Sequence, residues 1–144
     1  MPIVRLDTAE TKEKLDAGWT YVDVRTEEEW DEGHPPGAVN VPVAIMSARG
    51  KVQNPEFLAA MNATFAKDAK IVLGCAAGVR SMIAAELLVA DGFVAPFEHR
   101  PGWYGVRDPF GRVREVGWEA SGLPIESGGS PERSWTSIRK KLTP

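Results

Sequence analysis

Apolar and polar positions along this chain change period several times. Ile3 to Leu6 is a short apolar opening that predicts a strand. Asp7 or Thr8 is placed to cap a helix running toward Ala17, with Gly18 to end it. Thr20 to Val24 is rich in strand formers. Thr26 and Glu29 have capping-box spacing, so a short helix should pass through Trp30 and stop near Gly33. Pro35, Pro36 and Gly37 force a turn before a short strand over Ala38 to Val41, with a loop after it. Asn54-Pro55 reads as a cap and first turn, after which Phe57, Leu58, Met61 and Phe65 fall on one helical face. That stripe is best read as core packing. Ile71-Val72-Leu73 is a continuous apolar run, the mark of a strand buried on both faces of a parallel sheet. Ser81 to Ala90 reads as a helix closed by Asp91-Gly92, and Phe93 to Phe97 as a final strand.

Strands alternating with helices predict an α/β fold with a parallel sheet and helices on both faces. The 144-residue length suits one domain with a real core. From Gly128 to Pro144 the composition shifts to Ser, Gly, Pro and charge. Residues 1–126 are therefore read as the domain and 127–144 as a C-terminal tail. Trp135, Ile138 and Leu142 are spaced to form one face of a short docked helix, with a frayed, disordered end as the alternative. The Arg139-Lys140-Lys141 cluster in it reads as a solvated face.

Composition narrows the functional classes. Hydrophobic residues at 43% and charged residues at 26% are ordinary globular usage. A formal net charge of -3 argues against a nucleic-acid binder, which normally shows a basic face. Met82 to Ala90 is the longest strongly apolar stretch; it is short and carries Glu86, so no membrane span is expected. The opening Met-Pro-Ile-Val-Arg-Leu-Asp lacks a basic region followed by an apolar run, so no signal peptide is expected. The single cysteine, Cys75, excludes an intramolecular disulfide and a cysteine-rich zinc site. With His34 and His99 the only histidines, neither a metal nor another cofactor is expected. A free thiol fits a reducing, cytoplasmic setting.

The informative segment is Gly74-Cys75-Ala76-Ala77-Gly78-Val79-Arg80-Ser81. It follows a buried strand and precedes a helix, at the carboxyl end of the sheet, where open α/β folds bind ligands. A thiolate is a nucleophile, and a free cysteine ionises near pH ~8.5. Unpaired N–H groups at a helix start favour the ionised sulfur. Ala76, Ala77 and Gly78 put little bulk on the loop, so its amides can curl into an anion-binding nest open to solvent. Gly78 tolerates positive φ. Arg80 adds a planar fork suited to an oxyanion, and Ser81 can cap the helix or lend a hydroxyl. Alone, the cysteine would read as a small buried hydrophobe; Gly78, Arg80 and the strand–loop–helix setting argue for chemistry.

Cys75-x-x-Gly78-x-Arg80-Ser81 resembles the active-site loop of rhodanese-like domains. Asp23-Val24-Arg25, Glu29-Trp30, Gly33-His34-x-Pro36-Gly37-Ala38 and Asn40-Val41-Pro42 resemble the N-terminal half of that family. Trp118 with Gly122-Leu123-Pro124 resembles its closing motif. The resemblance covers residues 3–125 and implies the rhodanese fold, a five-stranded, mostly parallel sheet flanked by helices. It also implies a persulfide on Cys75, a small anionic donor such as thiosulfate, and sulfur transfer to a thiophilic acceptor. Pro35 stands where the family usually has an aliphatic residue. His99-Arg100-Pro101-Gly102-Trp103-Tyr104 replaces the usual Gly-Gly and nearby Trp, with a long stretch before Trp118.

Other residues carry two readings. Asp23 either tunes the site or accepts backbone hydrogen bonds, the second being preferred. Arg25 either reaches a substrate anion or pairs with Glu28 or Glu29, again the preferred reading. His34, among Gly and Pro, reads as a turn-stabilising hydrogen bonder rather than a base. Arg100, Arg107, Arg112 and Arg114 read as surface, with an anion-steering role as the alternative. Trp103 and Tyr104 read as core rather than pocket mouth. Since no second cysteine exists, a persulfide must be resolved by an outside acceptor, either a small thiol or a protein cysteine. Two alternatives to sulfur transfer stay open. One is an oxyanion enzyme on the same fold, a protein phosphatase or arsenate reductase. Related phosphatases space the cysteine and arginine by one residue more than the Ala76, Ala77, Gly78 and Val79 found here, and no general acid is evident. The other is a non-catalytic binding or redox-sensing module.

Overall fold

A computed structural model of the protein describes residues 3–128 and 131–142. Strands β1 (Arg5–Leu6), β2 (Thr20–Asp23), β3 (Val39–Asn40), β6 (Ile71–Gly74) and β7 (Pro96–His99) form one sheet. Its order is β1-β7-β6-β2-β3, and every pairing is parallel. The central strand β6 is buried along its whole length, as its unbroken apolar run predicts. Two hairpins lie outside the sheet: β4 (Ala44–Ser47) with β5 (Gly50–Gln53), and β8 (Val106–Arg107) with β9 (Val113–Glu115).

Helices cover both faces. Val22, Val24, Ile71, Leu73 and Cys75 share a core with Phe57, Ala60 and Met61 of α3 (Phe57–Thr64) and Ala84, Ala85 and Leu88 of α4 (Arg80–Ala90). Tyr21, on the alternate face, packs with Trp30 of α2 (Glu27–Glu32), Ala38 and Leu15 of α1 (Thr8–Asp16). Local chemistry sets the helix starts. Asp7 with Glu10, and Thr26 with Glu29, each form a complete capping box. Among the described residues no helix is long and apolar enough to cross a membrane.

Three expectations need correction. The segment after β3 is a hairpin, not a loop; none of its strand residues is fully buried, so no apolar face marks it. Asn54 does not cap α3: it accepts the Glu56 N–H (3.0 Å) and donates to the Pro42 carbonyl (2.9 Å), bracing the turn before the helix. The last sheet strand runs over Pro96–His99 rather than Phe93–Phe97, since Phe93 turns into the core and Val94 lies exposed.

The tail docks. Helix α5 (Trp135–Arg139) and a following turn over Lys140–Leu142 pack on the α3 side, with Trp135 and Ile138 buried in the main core. Arg139, Lys140 and Lys141 are exposed, as a solvated face, and Arg139 pairs with Glu56 across this contact (3.0 Å). The rest of the tail reading, residues 129, 130, 143 and 144, lies outside the described residues. Ile138→Ala should cost about 2 kcal/mol, at the low end for a buried Ile because a terminal helix can settle into the gap. Urea denaturation checks this; an unchanged midpoint would mean that the helix is not held by its core face.

Candidate active site

The β6–α4 connection presents Cys75 at the carboxyl end of the sheet. Gly78 is at φ +85°, and a Cβ there would lie 2.3 Å from the Arg100 carbonyl oxygen, so only glycine fits this close approach. Its N–H points inward and donates to Cys75 Sγ at 3.1 Å. The loop is held from outside as well: Trp103 N–H donates to the Cys75 carbonyl (2.8 Å) and Tyr104 N–H to that of Ala76 (2.9 Å).

The thiol differs from expectation in two respects. Cys75 is only 2% exposed, and Sγ receives a single loop amide rather than a ring of them. The cause is strand alternation, which sends Ile71, Leu73 and Cys75 into the same core face. In the loop around it Ala77 and Val79 are exposed and Ala76 is half-buried. Ser81 does not cap α4, which has no side-chain cap. Its hydroxyl lies 3.3 Å from Sγ and donates to the Glu98 carboxylate.

The charged residues pair differently from expectation. Arg25 bonds neither Glu28 nor Glu29. Fully buried, it chelates Asp23 (2.6 Å at the closest), donates to the Gly33 carbonyl (2.6 Å) and lies 5.1 Å from the Trp103 ring centre. Burial works to lower its pKa, but Asp23 more than offsets this and keeps it raised. Asp23 accepts the Arg25 backbone N–H as well (3.0 Å), in line with the structural reading. Glu29 instead takes Arg80 through both oxygens, at 2.8 and 3.0 Å. Burial pushes the Glu29 carboxyl up, yet the Arg80 and Thr26 hydrogen bonds hold it down at about 2. The fork of Arg80 is thus occupied, and the Glu29 hydrogen bonds raise its pKa above the ordinary value.

His34 sits in the closing turns. Its Nδ1 meets the Trp30 carbonyl (2.6 Å), its Nε2 meets Glu126 (2.9 Å), and its ring stacks on Trp30 at 4.4 Å. Arg100 pairs with Glu115 (2.5 Å), bracing the β8–β9 hairpin against β1, while Arg107, Arg112 and Arg114 are exposed. Trp103 is buried and Tyr104 half-exposed, so the core reading holds for the first only.

Two groups went unread in the sequence. Glu98 is fully buried and bonded by Arg5 Nε at 2.7 Å. His99 is fully buried between the Tyr21 hydroxyl (2.8 Å) and the Thr8 hydroxyl (2.9 Å), with Thr8 donating to the Val116 carbonyl (2.7 Å). Burial holds the His99 ring at about 3, so it is neutral, and raises the Tyr21 phenol well above its ordinary value. The available signal was two polar residues following Phe97 in an otherwise apolar strand.

Comparison with known proteins bears on this geometry. The family model described as "Rhodanese-like domain" matches residues 7–108. The Raphanus sativus senescence-associated protein DIN1 is 36% identical over 115 residues, which are 80% of this chain and 56% of that protein. The Arabidopsis thaliana protein named thiosulfate sulfurtransferase 16, chloroplastic, is 37% identical over 111 residues, 77% of this chain and 82% of its own. The chain thus spans little more than half the length of some curated relatives. A crystal structure of Rv0390 from M. tuberculosis superposes with a TM-score of 0.72 at 28% identity, covering 89% of this chain and all of that one. The matched span holds four of the five sheet strands, β2, β3, β6 and β7, together with the Cys75 loop, and the chain belongs to the rhodanese-like domain family.

Proposed function

We propose that this protein is a sulfurtransferase that carries a sulfane sulfur on Cys75. The observation that carries the reading is the Cys75–Ser81 loop itself. A lone sulfur ends a buried strand, receives the Gly78 N–H, and precedes a helix whose first residue is a cationic Arg80. Cys75 sulfur attacks the outer sulfur of a small anionic donor such as thiosulfate. A new S–S bond forms, the donor's S–S bond breaks, and sulfite leaves with the bonding pair. Gly78 contributes its N–H at the sulfur, Ala76, Ala77 and Val79 form the loop beside it, and Arg80 contributes charge rather than a free fork, since Glu29 holds its nitrogens. Asp23 and Arg25 support the floor beside Trp103. The terminal sulfur then passes to an outside nucleophile, cyanide in an assay and a small thiol or protein cysteine in a cell, because the chain has no second cysteine.

Intact mass spectrometry tests this. Incubation with thiosulfate should add one sulfur, about 32 Da, removable by cyanide or a thiol, and Cys75→Ser should gain nothing. An unchanged mass with both thiosulfate and 3-mercaptopyruvate, together with hydrolysis of an aryl phosphate, would replace the reading with the phosphatase one.

A further inference from the structure

The buried Glu98 is unused by the reaction as written, and its bonding is unusual for a structural ion pair. Arg5 and Glu98 are direct partners in the β1–β7 register, so a two-armed bridge between them would be the simplest way to tie the edge strand down. The structure splits both groups instead. Glu98 gives Oε1 to Arg5 Nε (2.7 Å) and Oε2 to the Ser81 hydroxyl. Arg5 gives its other arm to the Gly78 carbonyl (3.3 Å), in the loop that holds Cys75. Ser81 is fully buried and has one proton. That proton is committed to the carboxylate, so Ser81 Oγ faces Cys75 Sγ as an acceptor, at 3.3 Å. The hydrogen bonds therefore run one way, from thiol to hydroxyl to carboxylate.

We propose that Glu98, acting through Ser81, takes up the Cys75 proton as the sulfur attacks. The choice of donor rests on the sulfur-transfer reading; the relay itself does not. As Sγ bonds the incoming sulfur, the S–H proton moves to Ser81 Oγ and the Ser81 proton moves to Glu98 Oε2. The donor's S–S bond breaks and its electron pair departs with the leaving group. When an acceptor later removes the terminal sulfur, Cys75 leaves as a thiolate and recovers a proton by the reverse path. The other ionisable groups near this chain are Asp23 and Arg25 beyond β2, the Tyr21 phenol and Arg80 of α4. Arg25 and Arg80 are bound to Asp23 and Glu29, which leaves Arg5 as the ion pair partner of Glu98 among the described residues. Glu98 is thus a positioning residue for the proton, one strand away from the reacting atom.

The test uses two electrophiles between pH 6 and 9: thiosulfate, read as single-turnover sulfur uptake by intact mass, and iodoacetamide, read as alkylation of the one thiol. Relative to the native protein, Glu98→Gln should slow both reactions by about 100-fold at pH 6, the lower range for a lost proton acceptor. The deficit should shrink as pH rises and fall within about 3-fold at pH 9, where hydroxide does the same work. Glu98→Asp should recover part of the rate. Ser81→Ala should follow Glu98→Gln, and it carries the test should Glu98→Gln fail to fold. A deficit equal at every pH, or no deficit, overturns the relay. Native protein that alkylates with the relay's pH dependence but takes no sulfur supports the relay and overturns the sulfur-donor reading. Native protein inert to both electrophiles overturns both.

Discussion

Gly74→Ala should destabilise the protein by about 3–5 kcal/mol, although it adds one methyl group to the end of a strand. A Cβ at this position would lie 1.7 Å from the Tyr21 hydroxyl oxygen and 2.3 Å from the ring carbon that bears it. No rotation of the ring relieves this cheaply. Tyr21 is 3% exposed, and its hydroxyl is tied to His99, which is tied in turn to Thr8 and through it to the Val116 carbonyl. Expelling the ring adds an unmade buried hydrogen bond to the steric cost. Urea denaturation of Gly74→Ala in the native and Tyr21→Ala backgrounds separates the causes. Removing the ring should abolish most of the penalty, a strongly non-additive cycle. Equal penalties in both backgrounds would mean that the backbone, not the ring, demands glycine here.

This position shows where sequence reading succeeds and where it stops. Strand β6 was legible because Ile71-Val72-Leu73 is apolar without alternation, which only a doubly covered strand explains. The starts of α1 and α2 were legible because capping boxes act within four residues. The face of α5 was legible from Trp135 and Ile138, but its place against α3 was not. The β4–β5 hairpin hid because it is half-exposed and packs little against the core. Ion-pair partners hid for a different reason. Glu27, Glu28 and Glu29 stand two or more residues from Arg25, and nothing local distinguishes them from Asp23 as its partner. The choice is made by tertiary placement, which brings α4 against α2 so that Arg80 takes Glu29 and leaves Arg25 to Asp23. Cys75 was found because its motif is contiguous. Glu98 was not, since its partners Arg5 and Ser81 stand on other elements, β1 and α4, with no local spacing to mark them.

Acid should unfold this protein earlier than its carboxylates alone require, and His99 is the reason. Its ring is held neutral by burial, titrating at about 3 against an ordinary 6.5; Asp7 and Glu115 pull weakly the other way. A folded pKa below the unfolded one means that the unfolded chain binds the proton first. The stability His99 provides is therefore complete above about 6.5 and is lost as pH falls toward 3. The loss approaches about 2 kcal/mol by pH 5 and about 4 kcal/mol at pH 3. The Glu29 and Glu126 carboxyls, each held at about 2 against an ordinary 4.5, have the same sign but act only below about 4.5. The interval from pH 6.5 to 5 therefore isolates the histidine from these two acids. His99→Gln retains a donor for Thr8 and an acceptor for Tyr21 without a titrating ring. Urea unfolding at pH 7.5, 6 and 5 should show the native protein losing about 2 kcal/mol while the variant, less stable at the outset through imperfect packing, stays nearly level. Parallel losses in the two proteins would show that the proton enters elsewhere. The direction matters for function, because the ring braces Tyr21 over Gly74, the residue that hands the chain to Cys75. A protonated His99 has no lone pair for the Tyr21 hydroxyl, so the floor under the reactive loop should loosen before the whole fold does.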